Sequence, residues 1–228
     1  MLLGAGRGTR LASLGLEVPK ILAPIAGEPL LARQLRYLAQ EGASRVVVNA
    51  HHMADQVERF ARKHTGTPDL IVVTEARLLG TAGGVRNAIS YFGSGPIVVL
   101  YGDVLTTASL SHLLAAHAKS GAPATITFYE STETAGKGTI ELSGDRLNAF
   151  REKTDACEAE GEPARINAGL YVVEVDFVCE FVDDGEVADF GHDVFPKALA
   201  RGVDVAAYRL LQAVLDIGTP EKLREAQR

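Results

Sequence analysis

At 228 residues, 46% of them hydrophobic, the chain is long enough to bury a substantial core and lies near the upper end of single-domain size. A formal charge of −6 excludes the basic face that nonspecific nucleic-acid binding requires. No stretch approaches the length of a membrane span and no basic-then-apolar leader precedes the first apolar residues, so a cytoplasmic protein with neither membrane nor nucleic-acid partner is expected.

The chain opens with Met1-Leu2-Leu3 running straight into Gly4-Ala5-Gly6-Arg7-Gly8-Thr9-Arg10. That leaves too few residues for a strand of five or six, so the first strand is expected to be very short or the sequence to start inside it. The glycines allow a tight turn that brings backbone N–H groups to phosphate oxygens, and Arg10 and Lys20 add positive charge to the same anion. The run is not a Walker A loop, which would need Gly-Lys-Ser/Thr where Gly8-Thr9-Arg10 stands. Nor is it the dinucleotide fingerprint, whose third glycine would fall at Thr9.

Beyond the loop, segments of helical period alternate with β-rich runs. Leu30, Leu31, Leu35 and Leu38 recur at helical spacing after Pro29 and before Gly42. Strand Arg45–Ala50, a helix over about Ala54–Lys63, strand Leu70–Glu75, a helix over about Thr81–Tyr91 and strand Ile97–Tyr101 follow. Continuous β-branched runs separated by helices predict a parallel sheet covered on both faces, with ligands beyond the carboxyl ends of the strands. Gly102-Asp103 ends the most apolar of these strands, where a carboxylate could hold Mg²⁺ against phosphate or simply open the next loop. Asp216, in Val214-Leu215-Asp216-Ile217-Gly218-Thr219-Pro220-Glu221, is a second such acid or else a turn and cap residue. Cys157 and Cys179 lack metal spacing and read as reduced thiols. His51-His52 do not form a chelate, because sequence neighbours on a strand point apart, and His192 lies ahead of an expected helix.

In this order the pieces resemble the sugar-1-phosphate nucleotidylyltransferases, most of all small members acting on mannose- or heptose-1-phosphate. The similarity runs through the glycine loop with Thr9-Arg10-Leu11, Pro19-Lys20-Ile21-Leu22-Ala23-Pro24, Glu75 with Leu79-Gly80-Thr81-Ala82-Gly83, Gly102-Asp103, Gly136-Lys137-Gly138, Glu152-Lys153, Asn167-Ala168-Gly169 and Leu215-Asp216-Ile217-Gly218-Thr219-Pro220-Glu221. Thr154 stands where many members have proline after the Glu-Lys pair.

The resemblance implies a Rossmann-like α/β/α fold of three layers, with a mostly parallel central sheet and a small sugar-binding β extension. It implies one domain over residues 1–228, with 1–110 mainly binding nucleotide and 111–228 mainly sugar phosphate. Arg10, Lys20 and Asp103 would be catalytic, and Asp103 and Asp216 would hold Mg²⁺. The nucleotide would be met by Leu3, Gly4, Ala5, Gly6, Arg7, Gly8, Thr9, Glu75, Gly80, Thr81 and Gly102, with Thr81 also able to face phosphate. Gly138, Glu152, Lys153 and Asn167 would take the sugar phosphate. The implied reaction joins a nucleoside triphosphate, GTP by preference, to mannose 1-phosphate or a manno-heptose 1-phosphate and releases pyrophosphate. UTP or dTTP with glucose- or muramic-type sugars is the alternative substrate pair, and a non-catalytic nucleotide-sugar-binding regulator is the alternative of another class. A chain without a hexapeptide-repeat β-helix is expected, and homo-oligomer formation is compatible with this reading.

Overall fold

Unbroken apolar β-branched runs become strands buried on both faces. In the computed structural model, which describes residues 1–6, 8, 17–151, 163–212 and 214–226, Val46 to Ala50 of strand Arg45–Ala50 are all buried. The described residues divide into a first unit, Met1–Leu78, Leu100–Thr107 and Ala213–Arg228, and a second, Leu79–Val99 and Ala108–Gln212. No helix among them is long and apolar enough to cross a membrane.

The first unit is a parallel arrangement. Arg45–Ala50 pairs with Asp69–Thr74 on one side and with the two-residue strand Leu2–Leu3 on the other, Leu2 opposite Val48. Leu2 and Leu3 also pair in parallel with Leu100 and Tyr101, the end of strand Pro96–Tyr101. Helix Leu30–Gln40 buries Leu30, Leu31, Gln34, Leu35 and Leu38 along one face. It stops at Gly42, whose φ of +87° places it in the left-handed region. Gly42 N–H then reaches Ala39 O, and Ala43 N–H reaches Leu38 O, closing the orphan carbonyls of the last turn. Helix Ala54–Lys63 buries Val57 and turns its charged residues outward.

The second unit is mixed. Strand Ala124–Ser131 pairs antiparallel with Ala164–Glu174 and parallel with Val205–Arg209. The hairpin of Thr139–Ser143 and Arg146–Arg151, turning at Gly144, adds antiparallel pairs, and Ile166 opposite Thr139 links its far strand back to Ala164–Glu174. The fold is thus α/β as expected. The mostly parallel sheet describes the first unit, whereas the second contains antiparallel pairs, of which only that of Thr139–Ser143 with Arg146–Arg151 follows from a short hairpin connection.

Aromatic rings fill the second unit's centre: Tyr171 meets Phe190 and Phe195 edge-on at 5.4 Å between centroids, and Phe150 lies 6.1 Å from Phe195. Beneath helix Leu110–Ser120, buried His117 places Nδ1 2.8 Å from Thr125 Oγ1 and Nε2 3.0 Å from Glu174 Oε1. Both ring nitrogens are therefore matched. Thr125→Val keeps the shape but strands one of them, and is expected to cost about 1–3 kcal/mol in urea denaturation.

Candidate active site

The carboxyl ends of the first unit's strands hold the tightest backbone approach there. Gly102 N–H donates to Leu3 O at 2.8 Å, and a Cβ on Gly102 would stand 2.3 Å from that same oxygen. Only glycine fits, so Asp103 follows from a backbone pressed against the first strand. Lys20, at the start of the short 3₁₀ turn Lys20–Leu22, sends Nζ to Asp103 Oδ2 as an ion pair, with the two side chains 13% and 23% exposed.

Asp216 reaches Asp103 through the backbone. Strand Val214–Asp216 runs antiparallel to Val104–Thr106 with Asp216 opposite Val104, and Ile217 N–H donates to Asp103 O at 2.7 Å. Ile217 and Leu223 hold that strand in place by packing with Ala23, Ile25 and Leu30. The following helix is capped by Thr219, whose Oγ1 accepts from Lys222 N–H at 3.3 Å. Its Oδ1 is shielded from solvent. Two carboxylates on adjacent strand ends fit a hard divalent cation that completes its shell with water and phosphate oxygens. Among the described residues no group of three or more His, Cys, Asp or Glu could hold a metal alone.

Two buried amides that the sequence reading passed over tie this region together. Gln34 Nε2 donates to Tyr101 O at 3.3 Å and Val104 O at 3.1 Å, bracketing Gly102-Asp103 from both sides. Asn49 Oδ1 accepts the Gly4 N–H at 2.8 Å while its Nδ2 donates to Glu75 Oε1 at 2.7 Å. Asn49 is 2% exposed and Glu75 4%, so Glu75 bears on the start of the glycine loop through Asn49. The Glu75 carbonyl accepts from His51 Nδ1 at 2.9 Å. The signal for both amides was present: each is a polar residue at a position where the apolar pattern of its helix or strand calls for burial.

Of the predicted loop, Leu3, Gly4, Ala5, Gly6 and Gly8 are described. A Cβ on Gly4 would lie 2.6 Å from Ile21 and 2.9 Å from Asn49 O, whereas Gly6 faces open space. Arg7, Thr9 and Arg10, together with Glu152 and Lys153, lie outside the described residues.

The second unit brings together two of its own predicted pairs. Asn167 N–H donates to Gly138 O at 2.9 Å, and the Asn167 side chain accepts from Gly169 N–H and donates to the Tyr171 hydroxyl at 2.7 Å. A Cβ on Gly138 would sit 3.2 Å from the Phe150 ring. Gly80 and Thr81 open helix Gly80–Asn87, with Thr81 bonded to Asp189. Burial alone would raise the nearby Asp193 carboxyl, but the Asp189 N–H, His192 and Lys197 outweigh it and hold the group below the usual carboxylate range. His192 itself is largely exposed.

These carboxylates stand at the strand ends of an α/β scaffold, where such sheets place their ligands. The chain belongs to the nucleotidyl transferase family, whose profile matches residues 1–228. It is 32% identical over 225 residues to a mannose-1-phosphate guanylyltransferase of Mycobacterium tuberculosis, covering 97% of this chain and 61% of that one. It is 30% identical over 237 residues to a UTP–glucose-1-phosphate uridylyltransferase of Synechocystis, covering 96% and 59%. The chain therefore spans about three-fifths of the length of these curated relatives. Its fold matches that of HddC from Yersinia pseudotuberculosis in complex with GMP-PN, with a TM-score of 0.84 at 24% identity over 99% of this chain and 96% of the other.

Replacing Asn49 by Leu removes the acceptor of the buried Gly4 N–H and the amide donor to Glu75, and is expected to lower stability by about 1–3 kcal/mol. Glu75→Gln keeps an acceptor for Asn49 and should cost far less in the same urea titration. A lowered Asp193 pKa stabilises the fold above the ordinary carboxylate range, and that contribution fades as pH falls through the folded-state value. Asp193→Asn should accordingly flatten the stability profile below about pH 4, as read by thermal melts.

Proposed function

We propose that this chain transfers a nucleotidyl group from a nucleoside triphosphate to a sugar 1-phosphate, giving a nucleotide-diphosphate sugar and pyrophosphate. The observation that carries the reading is Lys20 paired with Asp103 at a strand end, with Asp216 held on the adjoining strand, in a chain of this family. An oxygen of the sugar 1-phosphate attacks the α-phosphorus, the bond from that phosphorus to the bridging oxygen breaks, and pyrophosphate leaves in line. Such transfers depend on positioning and on neutralising spread negative charge, so no nucleophilic side chain is needed.

Lys20 exchanges its bond to Asp103 for the phosphates nearest the attack, and Arg10 neutralises the departing pyrophosphate. The N–H groups of the loop from Leu3 to Thr9 cradle the triphosphate. Lys153 takes the incoming sugar phosphate, and Glu152 and Asn167 take sugar hydroxyls above Gly138. Glu75 acts by holding Asn49 and through it Gly4. Mg²⁺, held by Asp103 and Asp216, would supply Lewis-acid neutralisation of the phosphate oxygens. Residues 1–110 serve mainly the nucleotide and 111–228 mainly the sugar phosphate, within one catalytic domain acting in the cytoplasm.

GTP with a manno-configured sugar is the favoured pair, supported by the guanylyltransferase name of the Mycobacterium tuberculosis relative and the GMP-PN complex of the HddC structure. The uridylyltransferase name of the Synechocystis relative supports UTP with a glucose-type sugar as the second pair. Pyrophosphate release across a grid of five nucleoside triphosphates and mannose-, heptose-, glucose- and muramic-type 1-phosphates separates the two. Asp103→Asn and Asp216→Asn are each expected to reduce kcat by about 10²-fold or more with the fold intact. Undiminished release from either folded variant defeats its metal assignment. Silence of the parent protein over the whole grid, with nucleotide sugar still bound, points to the regulatory class.

A further inference from the structure

Position 34 lies in the middle of the buried stripe of helix Leu30–Gln40, one turn from both Leu30 and Leu38. A leucine would complete that stripe, yet the residue there is an amide only 1% exposed. Its Oε1 meets no hydrogen-bond partner among the described residues. A half-satisfied buried amide is a poor way to gain stability, so the use of Gln34 lies in its Nε2.

That nitrogen grips one short stretch of backbone. Its two acceptors, the carbonyls of Tyr101 at 3.3 Å and Val104 at 3.1 Å, stand at either end of Gly102-Asp103, where strand Pro96–Tyr101 gives way to Val104–Thr106. Asp216 is opposite Val104, and the bond from Ile217 N–H to Asp103 O marks Asp216 and Val104 as a pair without mutual backbone bonds. In such a pair the carbonyl points out of the two-stranded ribbon. Val104 O therefore needs a partner elsewhere and finds it in Gln34.

The same helix reaches the other members of the site. Leu30 packs in one buried cluster with Ile217, the residue after Asp216. Leu30 N–H donates to Ala23 O at 3.0 Å, and Ala23 N–H donates to Lys20 O at 3.0 Å. Helix Leu30–Gln40 is thus a common frame for Lys20, Asp103 and Asp216, and Gln34 ties the backbone on both sides of Asp103 to it. We propose that Gln34 is a positioning residue for divalent-cation binding: through the Tyr101 and Val104 carbonyls it sets the Asp103 carboxylate relative to Asp216. The inference rests on the nucleotidyl-transfer reading above, in which those two acids hold the cation.

Mn²⁺ serves as the probe. Its binding is followed by electron paramagnetic resonance, with the protein alone and with a GTP analogue carrying a methylene bridge between the α- and β-phosphates. The Mg²⁺ dependence of pyrophosphate release is measured in parallel. Gln34→Met keeps the length and bulk of the side chain without its donors. It should weaken Mn²⁺ binding about tenfold and raise the KM for Mg²⁺ by a similar factor, while kcat at saturating Mg²⁺ and KM for the sugar phosphate stay within about threefold. A role confined to stability would leave the Mg²⁺ dependence of the folded protein unmoved. Gln34→Leu, which completes the apolar stripe, decides the matter should Gln34→Met fail to fold. Unchanged Mn²⁺ affinity in a folded variant overturns the proposal, as does a fall in kcat with the Mg²⁺ dependence unmoved. Parent protein that takes up no Mn²⁺ in either condition defeats the metal assignment of the underlying reading instead.

Discussion

The strand ends of the first unit depend on one close approach, that of the Gly102 backbone to the Leu3 carbonyl. A two-residue strand offers few ladder bonds, so the position of Asp103 rests on that contact and on the neighbours that reinforce it. Gln34 grips the carbonyls on either side, and Ile217 N–H grips the Asp103 carbonyl itself. Lys20 and Asp216 are then set relative to a backbone that cannot shift by the width of a methyl group without collision. A carboxylate carried on an unsupported loop would lack this definition.

Each polar side chain buried near these backbones does a similar job. Asn49 joins the glycine loop to Glu75, and Asp189 joins a helix start to a segment far away in sequence. A satisfied buried hydrogen bond adds only about 1 kcal/mol net, while an orphaned partner costs about 1–3 kcal/mol. The asymmetry makes such residues better at excluding wrong loop conformations than at adding stability. That is the property a site needs when it must hold backbone N–H groups in a fixed geometry for a charged ligand.

The parallel strands and most helices were legible because burial on both faces writes an unbroken apolar run, and a one-sided helix writes a 3.6-residue period. Arg45–Ala50 and Ala54–Lys63 appear where the pattern places them, and Pro96–Tyr101 extends the expected strand by one residue. The helix expected over Thr81–Tyr91 ends at Asn87 and continues as a 3₁₀ turn over Ile89–Tyr91, because periodicity cannot distinguish the two over one turn. The closure of the second unit's strands was not legible, since it depends on a single pairing of Thr139 with Ile166. Gly102-Asp103 and Asp216 could be singled out as strand-end acids, but their proximity comes from the Val104–Thr106 and Val214–Asp216 ribbon, whose strands lie more than a hundred residues apart. Asp189 carries no local signal at all, because the helix it caps lies elsewhere in the chain.

Charge explains why these acids and the lysine coexist. Lys20 and Asp103 are each less than a quarter exposed, and burying either alone would cost several kcal/mol, so their pairing is what allows both to sit there. Asp216 stands on the adjoining strand, opposite Val104. A triphosphate bound as proposed would add several more negative charges to the same end of the sheet. Such a ligand can bind only if cations accompany it, and freeing Lys20 for phosphate is favourable only if another positive charge takes its place at Asp103. In the proposed reaction the binding of cation and nucleotide would therefore be mutually dependent.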